Sequence, residues 1–436
     1  MKLHPTFSLL SMGIIIMLAT SCQDPMEQEL SCSEELQPQQ VLTREKMTTQ
    51  TINGALTSAV CETVWPRLSS QELYLICIPD NWNGELILYA HGYVSPYLDE
   101  LTFDEAVGLA PLVTSLGYAF ASTTYSANGL HIQQGVDEMV KLKEYFEANY
   151  RIPSYTYLTG GSQGGVITTL ALEKHPNLFD GGFSLCGPCG DFEKQMNHFG
   201  DFRLLFDYFF RNIISLPGSI DNISEELITN WDSYWVPKIL EAIASHPDRT
   251  RMLLEVSKAP YDPNNPASIQ TTVISNLWYN IFTIEDAKRK IKGKIFDNTN
   301  RWYIGAGNPG LDIALNRNIA RTTIVADGTY PLSDYETTGN IADPLVMMHT
   351  TKDPIQLFWN MPLYGLKVAA AGKLGYFAAF PVQRYGHCEF TDYEILTGLF
   401  SLITKVKLLE QVQAPPAIGI EATDKKLVVS VRRELL

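Results

Sequence analysis

The run Ser154-Tyr155-Thr156-Tyr157-Leu158-Thr159-Gly160-Gly161-Ser162-Gln163-Gly164 decides how this chain is read. Ser154 to Thr159 has the composition of a strand and Gln163 to Lys174 that of a helix, so the glycines between them mark a strand-to-helix corner. A serine at the tip of G-x-S-x-G in that setting is a nucleophile elbow. The turn pushes Ser162 into a strained conformation with its hydroxyl above the sheet, and glycines stand where side chains would clash. Without the flanking strand and helix the pattern is common, and a serine that merely caps the helix would account for it.

On the N-terminal side, Gln71 to Ile78 alternates as a strand, Pro79 to Gly84 is rich in turn formers, and Glu85 to Ala90 is a second strand, together a hairpin. A helical stretch around Phe103 to Leu116, a strand Tyr118 to Ser122 and a helix from Ile132 to Tyr150 follow. The last carries Val136, Met139, Val140, Leu142, Tyr145 and Phe146 on one face. After the elbow come a strand near Gly182 to Leu185, then strands Leu345 to His349 and Tyr376 to Val382, and a final helix from Thr391 to Leu408. Strands alternating with helices imply a mainly parallel sheet covered on both faces.

Three strand ends add chemistry to the elbow. Glu85 to Ala90 runs into His91-Gly92-Tyr93, a loop whose Tyr93 N–H, with that of Gln163, would face the oxyanion of a tetrahedral intermediate. His91 reads as a buried structural imidazole. Leu345 to His349 leads to Asp353-Pro354, a carboxylate just past a strand end, where open parallel sheets build their sites. The next strand is followed by Tyr385-Gly386-His387-Cys388. The other histidines, at positions 4, 91, 131, 175, 198, 246 and 349, all precede the acid, so His387 alone fits the chain order Ser, Asp, His.

With these four motifs in order, the sequence resembles the α/β-hydrolase family over its whole folded part except Asp191 to Asp343. The resemblance implies Ser162 as nucleophile, His387 as general base and then acid, Asp353 as its orienting carboxylate, and Tyr93 and Gln163 as backbone oxyanion donors. Asp191 and Glu389 are the alternative acids. Cys388 beside the base also resembles tannases and fungal-type feruloyl esterases, whose disulfide ties the residue next to histidine to one next to serine. Gly161 precedes Ser162 here, so the resemblance supplies no such bridge. The expected architecture is an α/β-hydrolase core over residues 51–190 and 344–412, with a helical cap, residues 191–343, inserted after the sixth strand.

Cap residues Trp231, Trp235, Trp278 and Trp302 read equally as the cap's own core or as stacking platforms for a ligand. Two other motifs carry less. Cys186-Gly187-Pro188-Cys189 matches a redox tetrapeptide, but Gly190 follows where a helix should begin, which favours a structural disulfide or buried thiols. Gly305-Ala306-Gly307-Asn308-Pro309-Gly310 matches G-x-G-x-x-G without the complete βαβ unit a dinucleotide site requires. No H-E-x-x-H and no calcium-loop pattern occurs, and neither cofactor nor metal is expected.

Lys2 and His4 precede an apolar run, Phe7 to Leu18, that suits an export signal and is short for a membrane span. It ends in Ala19-Thr20-Ser21-Cys22, which resembles the lipobox of bacterial lipoproteins. That resemblance implies a signal over 1–22, a lipidated Cys22 and anchorage to the outer membrane. Residues 23–50, rich in Gln, Glu, Ser and Thr, read as a flexible tether, and 413–436 as a tail that is either an edge strand or disordered. Seven cysteines in an exported chain allow disulfides whose connectivity stays open.

The chain has 436 residues, 45% of them hydrophobic and 19% charged, which excludes disorder, collagen and coiled coil. A net charge of −15 disfavours nucleic acid as a partner. The expected activity is ester hydrolysis by a serine hydrolase acting on an acyl substrate. A serine aminopeptidase or oligopeptidase of the same fold, and a surface lipoprotein that binds without turnover, are the alternatives.

Overall fold

The computed structural model describes residues 46–53, 58–66, 71–413, 418–423 and 426–431. Nine strands make one sheet: β1 (Lys46–Asn53), β2 (Ser58–Val64), β3 (Tyr74–Pro79), β4 (Glu85–Ala90), β5 (Ala119–Thr123), β6 (Tyr155–Gly161), β7 (Gly181–Leu185), β8 (Leu345–Lys352) and β9 (Phe377–Tyr385). Their spatial order is β1-β2-β3-β5-β4-β6-β7-β8-β9. The β1–β2, β2–β3 and β3–β5 pairs are antiparallel, and every pair from β5 to β9 is parallel.

The parallel strands from β5 to β8 are buried on both faces because helices cover both, whereas β9, at the edge, is only half-buried. In β4, Leu86, Leu88 and Ala90 turn to one face, shared with helices α2 (Ile132–Asn149) and α3 (Gln163–Lys174). Ile87 and Tyr89 turn to the other, against α1 (Asp104–Ser115) and the final helix, Asp392–Gln413. This is the α/β-hydrolase fold.

Between β7 and β8 lies the insertion. It contains α4 (Phe192–Phe209), several shorter helices and the long α5 (Ala267–Lys290). The cap expected to be helical also holds a three-stranded sheet, Ile291–Asp297, Thr323–Asp327 and Tyr330–Pro331. Trp231 and Trp235 are buried in it, whereas Trp302 is 64% exposed.

Three expectations need correction. The strand Gln71 to Ile78 and strand Glu85 to Ala90 do not pair as a hairpin, because β5 lies between them, antiparallel to β3 and parallel to β4. The true hairpin is β2 with β3, cross-linked by Cys61–Cys77. With β1 and β2 ahead of β3, the cap follows the seventh strand of the chain rather than the sixth. Lys46 to Gln50, placed in the tether, belong to β1, whose backbone pairs with β2. The tail holds a two-stranded hairpin, Ile418–Thr423 with Lys426–Val431. The signal, Cys22 and residues 23–45 lie outside the described residues.

The elbow rests on a close approach of backbones. A Cβ on Gly164 would lie 1.8 Å from the Ala90 carbonyl oxygen, and one on Gly160 would lie 2.3 Å from the Gly164 oxygen. No rotamer relieves a clash with backbone. Gly164→Ala is therefore expected to destabilise the protein by about 3 kcal/mol or more. Thermal unfolding compared with wild type checks this, and a melting temperature within 1–2 °C of wild type, roughly the noise of such a comparison, would remove the claim.

Candidate active site

Ser162 sits between β6 and α3 with φ 54° and ψ −121°, a left-handed backbone that a serine adopts only where its surroundings dictate it. Its N–H donates to the Leu185 carbonyl at 2.9 Å and its carbonyl accepts from Gly165 N–H at 2.9 Å, so both flanks of the turn are pinned. Cys186 and Cys388 also have positive φ, and they form a disulfide with one another. Strain thus gathers where β6, β7 and β9 end.

β8 delivers Asp353, which is fully buried. Its Oδ1 accepts from the Ile355 and Gln356 N–H groups at 2.8 and 2.9 Å, and its Oδ2 accepts from His387 Nδ1 at 2.7 Å. With the proton on Nδ1, the neutral ring presents Nε2 as an acceptor. That Nε2 is buried and has no hydrogen-bond partner among the described residues. Burial pulls the imidazole pKa down, but the charge and hydrogen bond of Asp353 outweigh it, and the net direction is up.

The disulfide brings the histidine loop to the serine. A Cβ on Gly161, the residue before Ser162, would lie 3.9 Å from Cys388 Sγ, the residue after His387. The cysteine beside the histidine is therefore bridged, but to Cys186 after β7, a partner distant in sequence. Cys189 is left as a buried free thiol, pushed up to about 11 by burial, so Cys186 and Cys189 are not a redox pair. Cys186, His387 and Cys388 converge, yet both sulfurs are consumed by the disulfide and offer no thiolate to a metal.

The loop after β4 approaches Ser162 from the other side. A Cβ on Gly92 would lie 3.5 Å from Ser162 Cβ. Among the described residues no carbonyl or side chain accepts from the Tyr93 N–H. The Gln163 N–H opens α3 and so has no acceptor within the helix. Both residues are tied down by their side chains. The Tyr93 hydroxyl donates to the Phe282 carbonyl of α5 at 2.9 Å, and the Gln163 amide bridges the Gly129 carbonyl and the His131 N–H at 3.2 Å each.

Several residues at the site carried no pattern in the sequence. Glu105, in the first turn of α1, accepts from the Gly92 N–H at 3.0 Å and from the Tyr89 hydroxyl at 2.9 Å, which fixes the loop that holds Tyr93. Asp286 of α5 accepts from the Leu130 N–H at 2.6 Å and so holds the loop against which Gln163 rests. Of the alternative acids, Asp191 caps α4 by accepting from Lys194 N–H at 2.7 Å, and Glu389 makes no hydrogen bond to His387. His91 is buried and lies against Tyr125 with ring centres 4.0 Å apart. In the glycine loop at 305–310, the Gly305 and Ala306 N–H groups donate to the chain's own Asp312, so that nest is already filled.

The hydrogen bond that His387 donates to Asp353 makes a definite forecast for the ring. The His387 imidazole should titrate above its ordinary 6.5, and in Asp353→Asn its midpoint should fall, because burial then loses its main opponent. NMR of isotope-labelled histidine checks both; a midpoint that Asp353→Asn leaves unmoved would discard the pairing.

Compared with known proteins, residues 63–301, more than half of the chain, match the model of a family described as "Tannase-like family of unknown function (DUF6351)". No curated protein matches the sequence. Among solved structures, the chain is similar to feruloyl esterase B from Aspergillus oryzae, with 13% identity and a TM-score of 0.46 over 89% of this chain and 91% of that one. An esterase from Aspergillus oryzae gives 14% identity and a TM-score of 0.43 over 90% and 93%. Lipase A from Candida antarctica gives 11% and 0.40 over 85% and 82%.

Proposed function

The chain belongs to the tannase-like family of unknown function, and from that footing we propose that it is a serine hydrolase that cleaves carboxylic esters through an acyl-enzyme. The observation that carries the proposal is the His387 imidazole. It is held by Asp353 at 2.7 Å through one nitrogen and offers a buried, unpartnered second nitrogen, in a loop bonded to the strand ends around Ser162.

In this reading Ser162 Oγ attacks the ester carbonyl carbon while His387 Nε2 takes its proton. The buried Asp353 stabilises the imidazolium that results. The Tyr93 and Gln163 N–H groups receive the negative charge that develops on the carbonyl oxygen, each worth about 10²–10³ in rate. The ester C–O bond breaks, the alcohol leaves with the proton from His387, and a water activated by the same nitrogen releases the acid and frees Ser162.

Wild type should label with a fluorophosphonate and hydrolyse aryl esters, and Ser162→Ala should lose labelling and about 10⁴–10⁶ of the turnover. Since the base must be neutral to act and its pKa is raised, kcat/KM should climb through a midpoint above 6.5 to an alkaline plateau. A wild type that does not label, or a profile flat between pH 5 and 9, would sink the mechanism. A panel of aminoacyl amides beside the esters distinguishes a peptidase of the same fold.

We place the enzyme outside the cytoplasm, lipid-anchored through Cys22 at the outer membrane. Two disulfides, Cys61–Cys77 and Cys186–Cys388, support an oxidising compartment. Cys22→Ser should shift the expressed protein from the membrane fraction to the soluble one, read by fractionation and by incorporation of labelled palmitate. Equal distribution of the two proteins would remove the anchor.

A further inference from the structure

The cavity that opens beside Ser162 and Gln163 has a volume of about 30 Å³. Phe192, Met196 and Phe199 of α4 and Tyr279 of α5 close it from the cap side, while Leu130 and Ile132 close it from the core. About 10–15 Å³ holds one water, so the space takes only a small group of about two or three non-hydrogen atoms.

Besides Ser162 and Gln163, the polar side chains of Gln195, Thr283 and Gln356 interrupt its apolar lining. Gln356, 6% exposed, and Thr283, 4% exposed, both face this cavity; Thr283 lies beside the Tyr93 hydroxyl, whereas Gln356 Oε1 has no hydrogen-bond partner among the described residues. Buried polar atoms are otherwise paired as a rule, and the neighbouring Gln195 obeys it, with Nε2 donating to the Ile355 carbonyl and Oε1 accepting from Asn360. The Gln356 backbone N–H donates to Asp353, so this amide is held in register with His387.

Resting on the serine hydrolase reading, we propose that this cavity is the acyl pocket and that it selects a short acyl group bearing a hydroxyl, such as a hydroxyacetyl or lactoyl ester. The hydroxyl donates to Gln356 Oε1. The single carbon or two behind it fill the space between Met196, Phe199 and Leu130. Longer chains and aromatic acids collide with the α4 side chains. A site built to pair a substrate hydroxyl rejects the analogue that lacks it, because its own polar atoms are then left buried and alone.

The test is a series of aryl esters whose acyl groups are acetyl, hydroxyacetyl, lactoyl, butyryl, hexanoyl and benzoyl, each rate divided by that of the same ester without enzyme. Wild type should prefer hydroxyacetyl over acetyl at least tenfold in kcat/KM, and should turn over hexanoyl and benzoyl esters at a hundredth of the acetyl rate or less. Gln356→Leu should bring the hydroxyacetyl to acetyl ratio within threefold of unity. Met196→Ala, which enlarges the pocket without touching its polar wall, should raise the butyryl to acetyl ratio at least tenfold, and it stands as an independent test if Gln356→Leu does not fold.

A hydroxyl preference below threefold, a ratio that Gln356→Leu leaves unchanged, as a pocket merely holding water would, or benzoyl turnover matching acetyl would each overturn the proposal. Fluorophosphonate labelling separates the two levels. If the protein labels at Ser162 and the short esters are not favoured, the pocket assignment fails while the hydrolase reading stands; if it does not label, both fall.

Discussion

The helix behind the serine can begin where it does because nothing stands between two backbones. The Ala90 carbonyl at the end of β4 and the Gly164 Cα at the start of α3 come so near that a single methyl would overlap the oxygen. That approach bends the chain sharply enough to give Ser162 its left-handed φ of 54°. It also sets the first N–H of α3 beside the loop that leaves β4. A looser turn would separate these two sets of donors, and no later packing could restore them. Glycine is required here by contact distance, and the strain at serine is held by the hydrogen bonds on its two sides.

Around that corner the site is assembled from strand ends, each carrying one part. β8 supplies a carboxylate with no exposure, β9 the imidazole, and β7 a cysteine that binds the imidazole's neighbour. Asp353 is buried without being stranded, since it accepts from two backbone N–H groups as well as from His387. α5 crosses the same ground from the cap. It receives the Tyr93 hydroxyl at Phe282 and braces the Gly129–Leu130 loop through Asp286, so one helix of the insertion steadies the side chains of both residues assigned to the oxyanion. The insertion is in this sense part of the site's frame as well as its roof.

Much of this was legible in the chain. The elbow stands out because its glycines are local and its neighbours have strong strand and helix composition. Asp353 and His387 stand out because each follows a strand-like run, the first largely buried and the second a half-exposed strand at the sheet edge. Where the sequence misleads, the cause is a partner chosen at long range. Gln71 to Ile78 and Glu85 to Ala90 look like a hairpin since a turn joins them, yet β5 comes from farther along the chain to lie between them. β1 has no apolar alternation, so its place in the sheet comes from the backbone ladder it forms with β2.

What the amino-acid order determines by itself is whatever depends on neighbours within a few residues: the strained serine, the ends of strands, the helix faces, and the order in which Ser162, Asp353 and His387 are met. Tertiary structure alone decides which distant groups share a space. It pairs Cys388 with Cys186 and leaves Cys189 without a disulfide partner among the described residues, sends Glu105 and Asp286 to brace two loops, and places Gln356 and Thr283 in the wall of the cavity at Ser162. The reason is that hydrogen bonds, disulfides and close packing act over a few ångströms in space. Local propensity carries no information about which segments folding will bring within that range.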